Sequence, residues 1–170
     1  MIKVVAFDVF GTVFDMSCVP DHELAKYGSH IKKSDWSPID FSPGWERIPA
    51  FKDSRIGIKS LRSAGFFVCT MTNCPVSTLT KLSRYNNINW DCIVPIELRQ
   101  IYKPNQSTYT MALELFRVKP EEMLMVTANK TFGDIEACQS LGIQTKLIRG
   151  ETGKLITDIV WEILPNESRT

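Results

Sequence analysis

From Asp53 onward, short apolar runs alternate with helix-length segments, and that rhythm constrains the chain more than any other feature. Asp53 is placed to cap a helix through about Ala64, which Gly65 stops; Phe66 to Met71 is then an apolar strand leading into Thr72-Asn73. Pro75 opens a helix to about Tyr85, and Cys92 to Val94 reads as a short strand. Lys103-Pro104 precedes a helix whose Tyr109, Ala112, Leu113 and Phe116 share one apolar face. Met123 to Val126 is a buried strand, Asp134 to about Leu141 a helix, Thr145 to Ile148 another strand, and Ile156, Ile159, Val160 and Ile163 mark a last amphipathic helix before Asn166 to Thr170, which should fray. Strands alternating with helices of about ten residues predict an α/β fold with a doubly wound parallel sheet.

The first strand carries the chemistry. Lys3-Val4-Val5-Ala6-Phe7-Asp8-Val9-Phe10-Gly11-Thr12 begins as an apolar, β-branched run buried on both faces and ends at a carboxylate, ahead of a glycine that permits a sharp turn. In open α/β sheets the ligand crevice lies beyond the carboxyl ends of the strands, so Asp8 is placed to face a site. Residues from about 15 to 50 break the rhythm. Asp21 to about Lys33 reads as a helix, and Ser34 to Pro49 carries three prolines, two tryptophans and Phe41 without periodicity. This stretch is expected to be a small cap inserted after the first strand. Trp36, Phe41 and Trp45 either cover the crevice or form a satellite cluster that ties the insertion down.

A length of 170 residues suits one domain, residues 1–170, and 44% hydrophobic with 23% charged residues is a globular composition. A net charge of +1 and no long basic run give no reason to expect nucleic acid or an anionic membrane as partner. No apolar run approaches the roughly 18 residues of a membrane span, so the expected compartment is the cytoplasm. The five cysteines lack CxxC spacing, and His22 and His30 have no cysteine neighbours, so neither a disulfide framework nor a zinc site is expected. Oligomeric state is not legible.

Three strands end in groups able to meet in one crevice: Asp8, Thr72 with Asn73, and the loop from Thr127 to Asp134, with Lys103 as a fourth contribution. Such a set fits a carboxylate nucleophile with its supports. The carboxylate attacks an electrophilic carbon or phosphorus to give an ester that water hydrolyses. A nearby lysine keeps it ionised, while a hydroxyl and an amide orient a small-molecule substrate. Asp134 would orient Lys103 or bind a cation.

The ordered set Asp8-Val9-Phe10-Gly11-Thr12, Thr72-Asn73, Lys103-Pro104 and Thr127-Ala128-Asn129 with Asp134 resembles the four motifs of the haloacid dehalogenase superfamily. The resemblance covers nearly the whole chain outside residues 15 to 50. It implies a hydrolase with a Rossmann-like core, Asp8 as nucleophile, Thr72, Lys103 and Asp134 as catalytic partners, and substrate contacts from Phe10, Thr12, Asn73 and Asn129.

Departures from the family pattern bear on the subclass. Phosphatases of the family carry a second Asp two positions after the nucleophile to protonate the leaving group; this chain has Phe10, which cannot transfer a proton. One of the two acids usual in the fourth motif of magnesium-dependent members aligns with Asn129. Asp8, the Phe10 carbonyl and Asp134 remain as weak Mg²⁺ ligands, so no cofactor is favoured and Mg²⁺ is the alternative. Phe10 and Asn129 bring the chain closer to the metal-independent 2-haloacid dehalogenase branch. That branch holds its substrate with an arginine from the cover segment, whereas the first arginine here is Arg47; Lys26, Lys32, Lys33, His30, Arg47 and Arg55 are the candidate substitutes, although an ammonium lacks the planar fork that binds a carboxylate bidentately. Three readings stay open: a dehalogenase-like hydrolase, a Mg²⁺-dependent phosphatase of low activity, and a degenerate member that binds a ligand or partner without turnover. Lesser candidates are Cys74, where a helix dipole favours a thiolate against the alternative of a packed thiol, Asp15 as a local cap, and Arg99 as an anion contact or surface pair.

Overall fold

The computed structural model describes residues 1–33 and 36–164. Five strands, β1 (Val4–Phe7), β2 (Phe67–Thr70), β3 (Cys92–Ile93), β4 (Met123–Thr127) and β5 (Gln144–Leu147), form one sheet in the order β3-β2-β1-β4-β5. Every pairing is parallel. The helices are α1 (Asp21–Ile31), α2 (Ser54–Ser63), α3 (Val76–Tyr85), α4 (Gln106–Phe116), α5 (Asp134–Ser140) and α6 (Ile156–Ile163). The chain runs from β1 outward to β3 and then crosses back to β4. β1 and β4 therefore flank the switch point at which doubly wound sheets open a crevice.

β1 is central because all of it can be buried. Val4 pairs with Phe67 on one side and Met123 on the other, and all four residues are buried. Val5 and Phe7 join the core that holds Leu61, Leu79, Ile156 and Ile159; Val4 and Ala6 join the opposite core of Tyr109, Ala112 and Cys138. Alternate side chains thus serve opposite faces, which explains an unbroken apolar run where a half-exposed strand would alternate.

Between β1 and α2 the chain forms the insertion: α1 and short 3-10 turns at Met16–Cys18 and Trp45–Arg47. Asp15 accepts a hydrogen bond from the Ser17 N–H at 3.0 Å, so it caps its turn as expected. α1 has no buried residue, and its attachment is lateral, through rings and hydrogen bonds such as Ser42 to both Glu23 carboxylate oxygens. Ser34 and Asp35, within the aperiodic stretch, and the tail expected to fray lie outside the described residues. Among the described residues no helix is long and apolar enough to cross a membrane.

Asp53 does not cap α2. Its carboxylate accepts from Arg149 Nη1 at 2.8 Å and from the Ile156 N–H at 2.7 Å, so it caps α6, more than a hundred residues away in sequence. A charged guanidinium with a free helix N–H is a better partner pair than the local amides of α2. This tie draws the start of α6 onto α2, where Gly57 leaves no room for a side chain: a Cβ there would lie 2.5 Å from Ile156 Cγ2 and 3.1 Å from its carbonyl carbon. Gly57→Ala gains about 1 kcal/mol of helix propensity. The clash outweighs it, because Ile156 is fully buried and its backbone is pinned. The variant is expected to lose about 1–3 kcal/mol, and thermal unfolding is expected to show a Tm lower by several degrees.

Candidate active site

Asp8 continues the sheet one residue past β1. Its N–H donates to the Val126 carbonyl at 3.0 Å, which fixes the side chain at the carboxyl edge between β1 and β4. The turn that follows needs Gly11, at φ +77°, to bring Thr12 back over the strand end. Thr12 Oγ1 donates to Asp8 Oδ2 at 3.0 Å and accepts from the Ala128 N–H at 2.8 Å, so one hydroxyl joins the first motif to the fourth. Behind it, Arg149 Nε donates to the Thr12 carbonyl at 3.0 Å while the same guanidinium holds Asp53 and Ser54.

Lys103 arrives from the loop before α4. Asn73 sets its backbone: Asn73 Oδ1 accepts from the Lys103 N–H at 2.8 Å and Asn73 Nδ2 donates to the Lys103 carbonyl at 3.3 Å. The ammonium then reaches Asp8 Oδ1 at 3.0 Å and Asp134 Oδ2 at 3.1 Å. Its side chain is 2% exposed, that of Asp134 1%, and that of Asp8 14%. Of the two carboxylates, Asp8 is the one a ligand can meet.

Asp134 is completed from behind. The Tyr109 hydroxyl donates to Oδ1, and Thr127 Oγ1 lies 3.5 Å from Oδ2. Tyr109 was legible only as part of an apolar helix face. A fully buried tyrosine one turn into a helix that starts beside Lys103 needs a partner for its hydroxyl, and that requirement is the signal that could have found it.

The site buries two carboxylates around one ammonium. Burial raises Asp8 above the ordinary carboxylate range, Lys103 pulls it back, and Asp134 adds to the rise. Burial alone would lower Lys103, but Asp134 and Asp8 outweigh it and hold the ammonium above its usual value. Burial, then Asp134, pushes Tyr109 up, so it remains a donor.

Thr72 is 2% exposed, and its oxygen accepts from the Cys74 N–H at 3.1 Å, which leaves its own proton to offer. Asn129 is exposed, and its Oδ1 accepts from the Thr131 and Phe132 N–H groups, each at 3.0 Å, shaping the loop before α5. Phe10 meets Tyr27, Phe41 and Trp45 edge-on at 5.7, 5.8 and 5.3 Å. Phe41 and Trp45 therefore lie over the end of the first motif, whereas Trp36 packs with Tyr102. Cys74 is no thiolate: burial, with Glu97 adding, pushes its thiol up, and desolvation defeats the helix dipole. Arg99 pairs with Glu114 near the surface. The donor set suits a metal poorly. Lys103 bridges the carboxylates a Mg²⁺ ion would need, and Tyr109 takes another Asp134 oxygen.

Strand order and Asp8 together define a doubly wound α/β protein with an acid-centred crevice at its switch point. No protein-family model matches the chain, and no curated protein matches it in sequence. Solved structures do. The L-2-haloacid dehalogenase PA0810 superposes with a TM-score of 0.78 at 16% identity, over 96% of this chain and 99% of that one. An L-2-haloacid dehalogenase from Xanthobacter autotrophicus with chloropropionic acid covalently bound gives 0.72 at 16%, over 98% and 86%. CbbY from Rhodobacter sphaeroides in complex with phosphate gives 0.66 at 16%, over 88% and 87%. The chain has the haloacid dehalogenase fold.

Two stability measurements check this geometry. Tyr109→Phe leaves Asp134 Oδ1 buried without its donor and is expected to cost about 1–3 kcal/mol in denaturant unfolding. Asp8→Asn acts in the opposite direction. A carboxyl whose folded pKa is raised binds its proton more tightly when folded, so stability falls as pH climbs from the unfolded value of 3.8 through the folded one. The uncharged amide lacks that penalty, and Asp8→Asn is expected to flatten the fall of stability as pH rises, read by denaturant unfolding across that pH range.

Proposed function

We propose that the protein is a hydrolase in which Asp8 is the covalent nucleophile on a small molecule, with no metal taking part. The observation that carries this reading is the asymmetry of the two carboxylates on Lys103: Asp134 is sealed behind the lysine, while Asp8 remains open at the crevice. A purely structural ion pair has no need to leave one partner exposed at a switch point.

In the first step an Asp8 carboxylate oxygen attacks an sp³ carbon. A C–O bond forms, the bond to the leaving group breaks, and the leaving group departs with the electron pair. In the second step water attacks Asp8 Cγ. One water oxygen stays in the regenerated carboxylate, the alcohol leaves with one proton, and the other proton passes to solvent. Lys103 stabilises the oxyanion that forms on the ester, and Asp134, held by Tyr109 and Thr127, is a positioning residue that keeps the ammonium charged and in place. Thr12 orients Asp8 Oδ2, and Thr72 has a proton to offer a bound ligand.

Phe10 favours displacement at carbon. Phe10 itself has no proton to give an alkoxide, and a halide needs none. The covalently bound chloropropionic acid in the Xanthobacter autotrophicus protein of the same fold supports a covalent route.

Single-turnover hydrolysis of a haloalkanoyl compound in H₂¹⁸O is expected to place label in the peptide containing Asp8, and Asp8→Asn to lower turnover by about 10⁴-fold or more. Unlabelled peptide with normal turnover would overturn the assignment. Activity is expected to be unchanged by a chelator, and its loss there would overturn the metal-free route. The acidic limb of kcat/KM is expected above the unperturbed carboxylate range, because Asp8 must ionise against its burial.

A further inference from the structure

Resting on Asp8 as nucleophile, we infer that the substrate is uncharged beside its reacting carbon, an amide, ester or apolar halide rather than a free carboxylate or phosphate. Two carboxylates share the one ammonium of Lys103, so the site is already anionic before a substrate enters. Lys103 is engaged on both sides, and a carboxylate seated beside Asp8 would be a third anion on one cation.

Among the described residues Lys103 is the one buried cation, and the exposed Lys26 and half-buried His30 line a small pocket with Tyr27, Phe41 and Trp45 that does not include Asp8. Among the described residues every lysine and arginine other than Lys103, Lys146, Arg149 and Lys154 is exposed. Lys146 and Lys154 pair with Glu162, and Arg149 is held by Asp53, Ser54 and the Thr12 carbonyl. Arg47, the first arginine of the chain, lines a separate cavity of about 350 Å³ with Cys18, His22 and Ile48, which does not include Asp8 or Phe10.

The wall over the first motif is aromatic instead. The rings of Phe10, Tyr27, Phe41 and Trp45 lie 4.3–5.8 Å apart, and Phe132 lies 5.5 Å from the Lys103 ammonium. Rings present negative faces and supply no fork for a carboxylate. A polar group on that wall is the Tyr27 hydroxyl, kept protonated by its burial and by the charge of Asp8. A neutral donor of this kind suits a carbonyl or amide oxygen. Alkylation of Asp8 by an uncharged substrate also brings the site to neutrality once the halide departs with the negative charge, since Asp8 becomes an ester while Lys103 keeps Asp134.

The test compares 2-chloropropionamide with 2-chloropropionate, which share the reacting carbon and the leaving group and differ in charge. The amide is expected to have at least a tenfold higher kcat/KM, about 1.4 kcal/mol. A second arm measures binding of unreactive propionamide and propionate to the wild-type protein by NMR shifts of the aromatic side chains, with the amide expected to bind more tightly. Equal values, preference for the carboxylate, or failure of both to bind would overturn the inference. Tyr27→Arg, which adds a guanidinium to the wall, is expected to reverse the order, and an unchanged order would count against it. Because binding does not require chemistry, tighter amide binding with an unlabelled Asp8 peptide would remove the nucleophile and keep the neutral site. A labelled Asp8 peptide with the carboxylate preferred would do the reverse.

Discussion

The ammonium of Lys103 between Asp8 and Asp134 is the interaction on which the carboxyl edge of the sheet depends. Two carboxylates cannot both stay ionised in a buried site without a cation between them, and a buried lysine cannot stay charged without an acid at hand. Each of the three holds the others in the required state. The surrounding elements are arranged to hold that ammonium still: Asn73 clamps its backbone from the end of β2, Tyr109 on α4 and Thr127 on β4 hold Asp134, and Thr12 fixes the far oxygen of Asp8. Ion pairs of this kind are a poor source of stability compared with apolar packing of the same volume. In the proposed reaction the triad, with one carboxylate partly open, is a reactive group with its supports.

What the sequence disclosed follows from where each residue's partner lies. Strand ends and helix starts are local events, so Asp8, Thr72, Lys103 and Asp134 stood out at the places where a parallel sheet brings loops together. Tyr109 was hidden because a buried tyrosine fits an apolar helix stripe as well as leucine does, and its hydroxyl partner lies on another helix. Asp53 misled for the same reason: a residue in cap position was bound by Arg149 and Ile156, groups that no local pattern brings near. Cys74 shows two opposed effects of one position. The helix start offers a dipole, but burial against apolar neighbours outweighs it and decides the thiol's state.

The core and the insertion differ in how they are held. β1 is sandwiched between two apolar cores and pinned on both edges, whereas α1 has no fully buried residue and packs its half-buried Leu24 and Tyr27 against the core. The insertion is anchored by scattered apolar residues, Val19, Trp45 and Ile48 buried in the main core with Leu24, Tyr27 and Phe41 packed against it, and their irregular spacing is why no periodic element was readable there.

Charge and aromatic surroundings then act in the same direction. A carboxylate is the better nucleophile the less water surrounds it, but desolvation also raises its pKa and draws it towards the unreactive protonated form. Lys103 resolves that conflict by stabilising the ionised state, and the surroundings of the neighbouring Phe10 are aromatic. Placing a proton-donating acid at position 10 would add a further negative charge, when ionised, to a site whose single buried lysine is already shared. On the proposed route, phenylalanine there fits one cation, two acids and a leaving group that departs without a proton.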